Sequence, residues 1–243
     1  MRDALVARPV VGTFLKLPRP EVVDVLADCG IDFVVCDLEH AQMSEREARD
    51  AVRAGRAVDL PVVVRVPDLD RGLINRLLEA GAAGIQLARA ESGTGASLCD
   101  LMRYPPDGTR SVSPAQPAAR YGSVPLATFL PRSNADVLAV GQLETASAAA
   151  DPDAAVAGLD VAFIGPVDLR VALGHPGEPD HEDVTRAVAA IRAAAGRAGV
   201  PTGTYVAGRE ELAAAVRDGY RYVLVSSDLA LLAAGGRAVL ARR

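Results

Sequence analysis

Short apolar runs alternate along the chain with longer segments in which apolar residues recur at helical spacing, and this alternation continues from one end to the other. The short runs are continuously apolar, which indicates parallel strands buried on both faces. Eight strands are predicted, at residues 10–15, 33–37, 62–66, 84–87, 137–143, 161–164, 202–206 and 222–226. The segments between them, several of which end in glycine, predict helices.

Eight strand–helix units predict an α/β fold of the (β/α)8 (TIM) barrel type, and 243 residues are enough for a single such domain over residues 1–243. The alternative is an open doubly wound sheet, which usually has fewer strands and often a glycine-rich phosphate loop. Neither G-x-G-x-x-G nor G-x-x-x-x-G-K-[ST] occurs in the sequence. Residues 103–131, rich in Pro, Gly and Ser, interrupt the rhythm and are interpreted as a long active-site or interface loop.

The amino-acid composition and net charge limit the classes of function that this chain can have. Hydrophobic residues make up 50% of the chain and charged residues 23%, which is typical of a folded, soluble protein. A net charge of −5 without a basic stripe argues against nucleic-acid binding and favours small-molecule partners. We see no membrane-spanning stretch and no signal peptide, and therefore expect a cytoplasmic protein. Cys29, Cys36 and Cys99 lack the spacing of a zinc or redox pair and are expected to be buried, reduced thiols.

Ionisable residues follow four of the predicted strands, which end in CDLEH, VVVRVPD, VGQLET and AFIGPVDL. In a barrel the functional groups gather at this C-terminal rim. Glu144 and Asp168 follow neighbouring strands, and two carboxylates so placed suit a hard divalent cation such as Mg²⁺ or Mn²⁺. Taken singly, each could instead cap the helix that follows it.

Arg65 emerges from the buried third strand where solvent begins. A permanently charged guanidinium at this position suits an oxygen whose negative charge grows during a reaction. Its alternative role is a structural ion pair with Asp68 or Asp70. Lys16 is the single lysine in the sequence, so a mechanism that needs a Schiff-base lysine has one candidate.

His40 stands at the end of the second strand beside Glu39, where a histidine could act as a general base near neutral pH. Lone histidines are more often inert. His175 and His181 fall in the hydrophilic stretch GHPGEPDH, which we interpret as a solvent-exposed loop rather than a source of ligands.

These motifs together resemble the HpcH/HpaI aldolase family, which includes 4-hydroxy-2-oxoheptanedioate aldolase and 2-dehydro-3-deoxyglucarate aldolase. The resemblance covers most of the chain, and D-x-E-H, R-V-P, Q-x-E-T and I-G-P-x-D-L in this order make it specific. It is carried by GTFLKLPRPEVVDVLADCGIDFVVCDLEH, VVVRVP, LLEAGAAGIQL, RYPPDGTR, GQLET and FIGPVDL. It implies a barrel of the phosphoenolpyruvate/pyruvate type and a class II aldolase. Such an enzyme would cleave 4-hydroxy-2-oxo acids to pyruvate and an aldehyde, or catalyse the reverse addition, through a metal-stabilised enolate.

The resemblance also assigns roles to residues. It implies that Glu144 and Asp168 bind the divalent metal, Mg²⁺, Mn²⁺ or Co²⁺, that Arg65 stabilises the enolate oxygen and that His40 takes part in proton transfer. An acidic residue from a neighbouring subunit supports that histidine, and the matching position here is Glu79, where an aspartate is common. The residues expected at the substrate are Arg65, Gln142, Gly165, Pro166 and Val167.

A homo-oligomer, a hexamer built as a trimer of dimers, is also implied by the resemblance. The C-terminal segment LALLAAGGRAVLARR is a plausible interface helix, although it could equally pack on its own barrel.

Residues 86–92 read QLARAES where the family has a V-P-x-V run, which changes the rim and leaves related activities open. The alternatives that use the same enolate are an oxaloacetate decarboxylase, a macrophomate synthase-like enzyme and a lyase of acyl-CoA esters. A barrel that binds an oxo acid without turnover is an alternative of another class.

Overall fold

A computed structural model describes residues 1–241, in which eight parallel strands form a closed barrel in chain order. Each strand pairs with the next, and the eighth pairs with the first. The strands are β1 (Val10–Leu15), β2 (Phe33–Asp37), β3 (Val62–Val66), β4 (Gly84–Leu87), β5 (Leu138–Leu143), β6 (Val161–Ile164), β7 (Thr202–Val206) and β8 (Tyr222–Ser227). The predicted (β/α)8 barrel is therefore confirmed, with every strand end within one residue of its predicted position, and the open sheet is excluded.

Helices surround the barrel, and local sequence signals fix where several of them begin and end. Ser44 and Glu47 form a capping box at the start of α3, and Gly81 ends α4 with φ of 104°. The helices are α1 (Arg2–Ala7), α2 (Pro20–Asp28), α3 (Glu45–Ala57), α4 (Arg71–Ala80), α5 (Thr94–Met102), α6 (Leu126–Asp136), α7 (Ala146–Ala150), α8 (Pro152–Val156), α9 (Pro166–Ala172), α10 (Glu182–Ala198), α11 (Arg209–Arg217) and α12 (Asp228–Leu240).

The barrel interior is filled with apolar side chains at the end where the strands begin. Phe33 and Tyr222 are first residues of their strands, and their rings lie 4.5 Å apart. Gly12 makes room for them, because a Cβ there would lie 2.6 Å from the Phe33 ring. Since this end is closed by hydrocarbon, polar side chains inside the barrel gather at the opposite, C-terminal end.

Residues 103–131 differ from the prediction of a continuous loop at the active site. A helix, α6, begins inside the segment at Leu126. The preceding part packs along the outer side of α4, where the Ala118 N–H donates to the Glu79 carbonyl (3.1 Å) and Arg110 Nε to Asn75 Oδ1 (3.0 Å). None of these residues lines the cavity at the mouth of this barrel. The active-site interpretation is wrong for the barrel to which the segment belongs.

The C-terminal helix α12 is attached to its own barrel only at its first residue, Asp228, which is buried and accepts from the Lys16 and Leu17 N–H groups. Residues 229–241 are all exposed, including Leu232 and Val239. The alternative in which this segment packs along its own barrel is therefore wrong, and the last two residues of the predicted interface segment lie outside the described residues.

The expectation of buried, reduced cysteines is confirmed only in part. Cys36 and Cys99 are buried free thiols as expected, but Cys29 is exposed at the end of α2. Among residues 1–241, no helix combines the length and apolar content that crossing a membrane requires.

Candidate active site

A cavity of about 250 Å³ opens at the C-terminal mouth of the barrel. It brings together predicted residues from four separate parts of the chain and adds several that the sequence did not single out. Its lining is formed by Phe14, Lys16, His40, Arg65, Gln142, Phe163, Gly165, Pro166, Val167, Asp168, Tyr205, Ser226 and Ser227. Glu144 contacts this cavity through two lining residues, Gln142 and Gly165.

Arg65 lines the cavity and is held in place by Asp37. The two residues face each other in the register between β2 and β3. Arg65 Nε and NH2 donate to the two Asp37 oxygens at 2.9 and 2.8 Å, which is the bidentate geometry in which a guanidinium is most firmly oriented. The guanidinium also lies 4.6 Å from the centre of the Phe14 ring. The alternative role of Arg65, an ion pair with Asp68 or Asp70, is therefore wrong, and its carboxylate partner is Asp37.

Lys16 and the backbone complete the environment of Asp37. Lys16 Nζ donates to Asp37 Oδ2 at 2.7 Å, and the His40 N–H donates to Oδ1 at 3.0 Å. Burial alone would favour the protonated acid, but the hydrogen bonds from Arg65 and Lys16 outweigh it and hold the pKa of Asp37 well below its ordinary value. Asp37 is consequently an ionised anchor for two cations.

Glu144 is a buried carboxylate, 3% exposed. Its Oε2 accepts from Gln142 Nε2 at 2.7 Å, and its Oε1 accepts from the Arg89 N–H at 3.1 Å. Burial nevertheless raises the pKa of Glu144 to about 7, and the negative charge of Asp168 adds to the increase. Within residues 1–241, neither of these carboxylates is in ion-pair distance of a lysine, arginine or histidine side chain.

The negative charge of Glu144 and Asp168, which no protein cation in the described part of the chain balances, favours a bound metal ion. Two neighbouring carboxylates without a protein cation form an all-oxygen donor set of the kind that Mg²⁺ or Mn²⁺ accepts. Glu39 is a third acidic group nearby, but its Oε2 lies 3.3 Å from Arg65 NH1, so a protein cation already balances its charge. Gly165 permits the arrangement, because a Cβ built on it would overlap Glu144 Oε2. The residues present fit a hard divalent cation.

The alternative in which these carboxylates cap helices is wrong. Thr145, not Glu144, caps α7, and its side chain accepts from the Ala148 N–H. Asp168 lies within the first turn of α9, whose N-cap is Gly165. Both carboxylates are therefore left for another partner.

A line of buried amides connects the metal-binding candidates to Arg65. Gln142 Oε1 accepts from Gln86 Nε2 at 2.7 Å and lies 3.5 Å from Arg65 NH1. Tyr222 in turn donates its hydroxyl to Gln86 Oε1 at 3.3 Å. Gln86 belongs to the segment that departs from the family pattern, and here it fixes which way the Gln142 amide faces.

His40 lines the cavity but is loosely held. Its side chain is 59% exposed, and its Nε2 lies 3.7 Å from Glu39 Oε2, which is longer than a hydrogen bond. Glu79 lies away from the cavity near the end of α4, where its Oε1 accepts from Asn75 at 3.2 Å. Within one chain the structure therefore does not bring Glu79 to His40.

The sequence did not predict that Asp37 would hold Arg65. The signal that could have found it is the position of Asp37 and Arg65, each near the end of an adjacent parallel strand. Lys16, the single lysine of the sequence, lines the cavity.

Known proteins share the sequence pattern of this chain. The sequence profile of the HpcH/HpaI aldolase/citrate lyase family matches residues 11–234. The chain belongs to this family. The motif-based prediction is confirmed, and membership makes the protein a carbon–carbon lyase of the aldolase kind.

Individual relatives cover nearly the whole chain. It is 34% identical to a hydroxypyruvate/pyruvate aldolase of Paraburkholderia phytofirmans, over 91% of this chain and 88% of that protein. It is 32% identical to a 5-keto-4-deoxy-D-glucarate aldolase of Klebsiella pneumoniae, over 94% and 90%. The crystal structure of an HpcH/HpaI aldolase/citrate lyase family protein from Burkholderia cenocepacia superposes with a TM-score of 0.90 at 32% identity, covering 99% of this chain and 97% of that one.

Proposed function

We propose that this family member is a metal-dependent class II aldolase that cleaves 4-hydroxy-2-oxo acids to pyruvate and an aldehyde, or joins the two in the reverse direction. The observation that carries the proposal is the buried Glu144, which lies beside Asp168 without a protein cation and next to a cavity that contains Arg65. The fold is accordingly assigned to the phosphoenolpyruvate/pyruvate type of barrel.

Glu144 and Asp168 would hold the divalent ion, Mg²⁺, Mn²⁺ or Co²⁺. Such an ion, when bound, polarises the 2-oxo group and lowers the energy of the enolate that forms when the C3–C4 bond breaks. Gln142 and the Arg89 amide orient the Glu144 carboxylate through their hydrogen bonds. The glycine at position 165 keeps the space beside this carboxylate open.

Arg65 would stabilise the growing negative charge on the enolate oxygen. Asp37 fixes the guanidinium in a bidentate pair, so that little reorientation is needed when the charge develops. We place the carboxylate of pyruvate against the backbone of Gly165, Pro166 and Val167, which line the cavity at the start of α9. The donor there is the Val167 N–H, which has no partner within the helix, because Pro166 has no N–H and the Gly165 N–H donates to the Leu143 carbonyl at 3.4 Å.

His40 would transfer the proton to or from the aldehyde oxygen, since it lines the mouth of the cavity, where the second substrate must enter. Within one chain it has no firmly hydrogen-bonded carboxylate to orient it. We therefore propose that Glu79 of a second copy of this chain supplies one, in a homo-oligomer in which the exposed apolar side chains of α12 are covered. A hexamer arranged as a trimer of dimers is the assembly we propose.

A coupled assay tests the proposal. Enzyme stripped of metal with a chelator is mixed with a panel of 4-hydroxy-2-oxo acids, and pyruvate release is followed with lactate dehydrogenase before and after addition of Mn²⁺. We expect release only with metal, and its loss in Glu144→Gln and Asp168→Asn. Glu210→Gln, an exposed carboxylate on α11, is the matched control and should retain the wild-type rate. Absence of metal-dependent pyruvate release across the panel would overturn the assignment.

The same preparation distinguishes the related activities. Oxaloacetate decarboxylation passes through the same enolate but needs no aldehyde. The altered residues 86–92 favour testing it, because their backbone contacts Glu144 at Arg89. Decarboxylation of oxaloacetate without turnover of any 4-hydroxy-2-oxo acid would favour that enzyme over the aldolase.

A further inference from the structure

We propose that His175, Glu178 and His181 form a second metal site, separate from the active site, which binds a borderline transition-metal ion such as Zn²⁺. The site lies in the connection between α9 and α10, in the stretch that sequence analysis interpreted as a solvent loop. The proposal does not depend on the aldolase reaction, because none of the three residues lines the active-site cavity.

The local sequence builds the site from two consecutive turns. In H-P-G-E-P-D-H a proline occupies the second position of each turn, where its fixed φ favours the turn conformation. The Glu178 N–H donates to the His175 carbonyl, and the His181 N–H donates to the Glu178 carbonyl, each at 3.2 Å. Three potential ligands at a spacing of three residues are thereby brought to one place by a stiffened backbone.

The three side chains place potential donor atoms close together. One donor atom from each of the three lies within 4.8 Å of the others, and His175 Nδ1 is 3.8 Å from Glu178 Oε1. Two ligands at about 2.0–2.1 Å from a tetrahedral Zn²⁺ are about 3.4 Å apart, so only a small contraction is required. The imidazole rings of His175 and His181 are stacked, with centroids 3.3 Å apart and planes at 16°. Because the lone pairs lie in the ring planes, one ring must rotate out of this stack for both to bind one ion.

Asp183 is placed to orient His175 at such a site, whereas His181 Nδ1 accepts from the Asp183 N–H at 3.2 Å and must release this hydrogen bond to coordinate an ion. Asp183 Oδ2 lies 3.3 Å from His175 Nε2 and 3.6 Å from His181 Nδ1, while Arg186 holds its Oδ1 at 3.1 Å. A histidine that directs one ring N–H towards a carboxylate leaves the lone pair of its other nitrogen for a metal. For His175 that other nitrogen is Nδ1, the atom that faces Glu178.

Simple ion pairing does not account for the cluster. The histidine–carboxylate distances of 3.3 to 3.8 Å exceed the 2.7–2.9 Å typical of charge-assisted hydrogen bonds. Two imidazolium rings in a face-to-face stack would also repel each other. The rings are only 21% and 30% exposed, so water screens that repulsion incompletely. One shared cation would balance the acidic groups around the two rings.

The ligand chemistry separates the two metal sites. Imidazole nitrogens favour Zn²⁺, Cu²⁺ or Ni²⁺, whereas the carboxylates Glu144 and Asp168 offer only oxygen and suit Mg²⁺ or Mn²⁺. An ion at His175 would also fasten the end of α9, because the His175 N–H donates to the Arg170 carbonyl at 2.8 Å. Asp168, a metal-binding candidate of the active site, lies on the same helix. The second site would therefore stabilise the connection at the end of the helix that carries Asp168.

Calorimetric titration of the metal-stripped enzyme with Zn²⁺, in excess Mg²⁺ to fill the oxygen site, tests the proposal. We expect one Zn²⁺ per chain with a Kd in the micromolar range or tighter, and at least a tenfold loss of affinity in His175→Ala. His181→Asn provides a second test that preserves folding, since asparagine keeps the capping hydrogen bond to the Asp183 N–H but lacks the imidazole ligand.

The matched control is Glu144→Gln, which should leave this Zn²⁺ binding unchanged. Co²⁺ offers an independent readout, because coordination by two imidazoles and a carboxylate gives stronger visible absorption than a six-coordinate oxygen site. The intense Co²⁺ spectrum should disappear in His175→Ala. The proposal is overturned if Zn²⁺ binding is absent in the wild type, if it survives both histidine substitutions, or if it is lost in Glu144→Gln.

Discussion

Arg65 donates two parallel hydrogen bonds to Asp37 at 2.9 and 2.8 Å, and the two side chains face each other across neighbouring strands inside the barrel. Both are buried, so the pair is poorly screened by water. Asp37 also accepts from Lys16, which makes it the common anchor of the two cations in the cavity. The position of the group that would stabilise the enolate therefore depends on a residue that need not touch substrate.

Asp37→Asn should destabilise the protein strongly, because it leaves Lys16 without its anionic partner and Arg65 with only the more distant Glu39 at 3.3 Å. Removing one member of a buried ion pair typically costs about 3–5 kcal/mol. Urea unfolding would measure the loss in the free energy of unfolding. The control is Asp32→Asn, which removes a bidentate pair with Arg8 at the surface and should cost about 1 kcal/mol or less. Equal losses in the two variants would contradict the assigned role of Asp37.

Gly165→Ala should reduce metal affinity with little effect on the barrel. Gly165 has no positive φ, so alanine is tolerated by the backbone, but its Cβ would displace the Glu144 carboxylate. Disturbing the arrangement around a metal ligand typically lowers affinity about 10–100-fold. Calorimetric titration with Mn²⁺ would measure this, with Gly196→Ala in α10, where a Cβ meets no atom within 4 Å, as the control. Unchanged Mn²⁺ affinity in Gly165→Ala would show that Glu144 is not a ligand.

The buried carboxyl of Glu144 predicts a specific pH dependence. Burial raises its pKa from 4.5 to about 7, so between these values the metal-free folded state binds a proton that the unfolded state has released. The free energy of unfolding should therefore fall as pH rises through this window, and the contribution is lost above the folded pKa. Without metal, urea unfolding from pH 5 to 8 should show this fall in the wild type and a smaller one in Glu144→Gln. Identical pH profiles of the wild type and Glu144→Gln would show that Glu144 is not the group with the raised pKa.

The positions of the strands were predictable because continuous apolar runs identify parallel strands independently of distant contacts. The partners of Arg65 were not, because they depend on the register between β2 and β3, which sets Asp37 opposite Arg65. Glu144 and Asp168 were found from their strand ends alone. The absence of a cation partner for them within residues 1–241 became visible only in three dimensions.

Two other features show why local patterns were insufficient. GHPGEPDH reads as a polar loop, but its two prolines create turns that bring His175 and His181 into contact. The apolar side chains of α12 are consistent with either intramolecular packing or an interface, and only the three-dimensional structure leaves them exposed. In both cases the outcome depends on spatial neighbours that a hydrophobicity pattern does not identify.

Treatment with borohydride in the presence of pyruvate should neither label nor inactivate the enzyme. A class I aldolase would form a Schiff base at lysine, and Lys16 is the single candidate in the sequence. Its ammonium group is engaged by Asp37 at 2.7 Å, and Schiff-base formation would have to break this ion pair. Mass spectrometry after reduction gives the answer. A pyruvate adduct on Lys16 would replace the proposed metal mechanism with a covalent one.

The most direct test of the central claim is exchange of the pyruvate methyl protons with D₂O, followed by proton NMR, because it reports enolate formation without requiring the aldehyde. The account predicts exchange with Mg²⁺, the diamagnetic ion that suits NMR, and its loss after chelation. It also predicts loss of exchange in Glu144→Gln and at least about a hundredfold slower exchange in Arg65→Ala, in line with the removal of one preorganised donor to a developing oxyanion. Exchange at the wild-type rate without metal, or in Glu144→Gln, would contradict a metal-assisted enolate at this site.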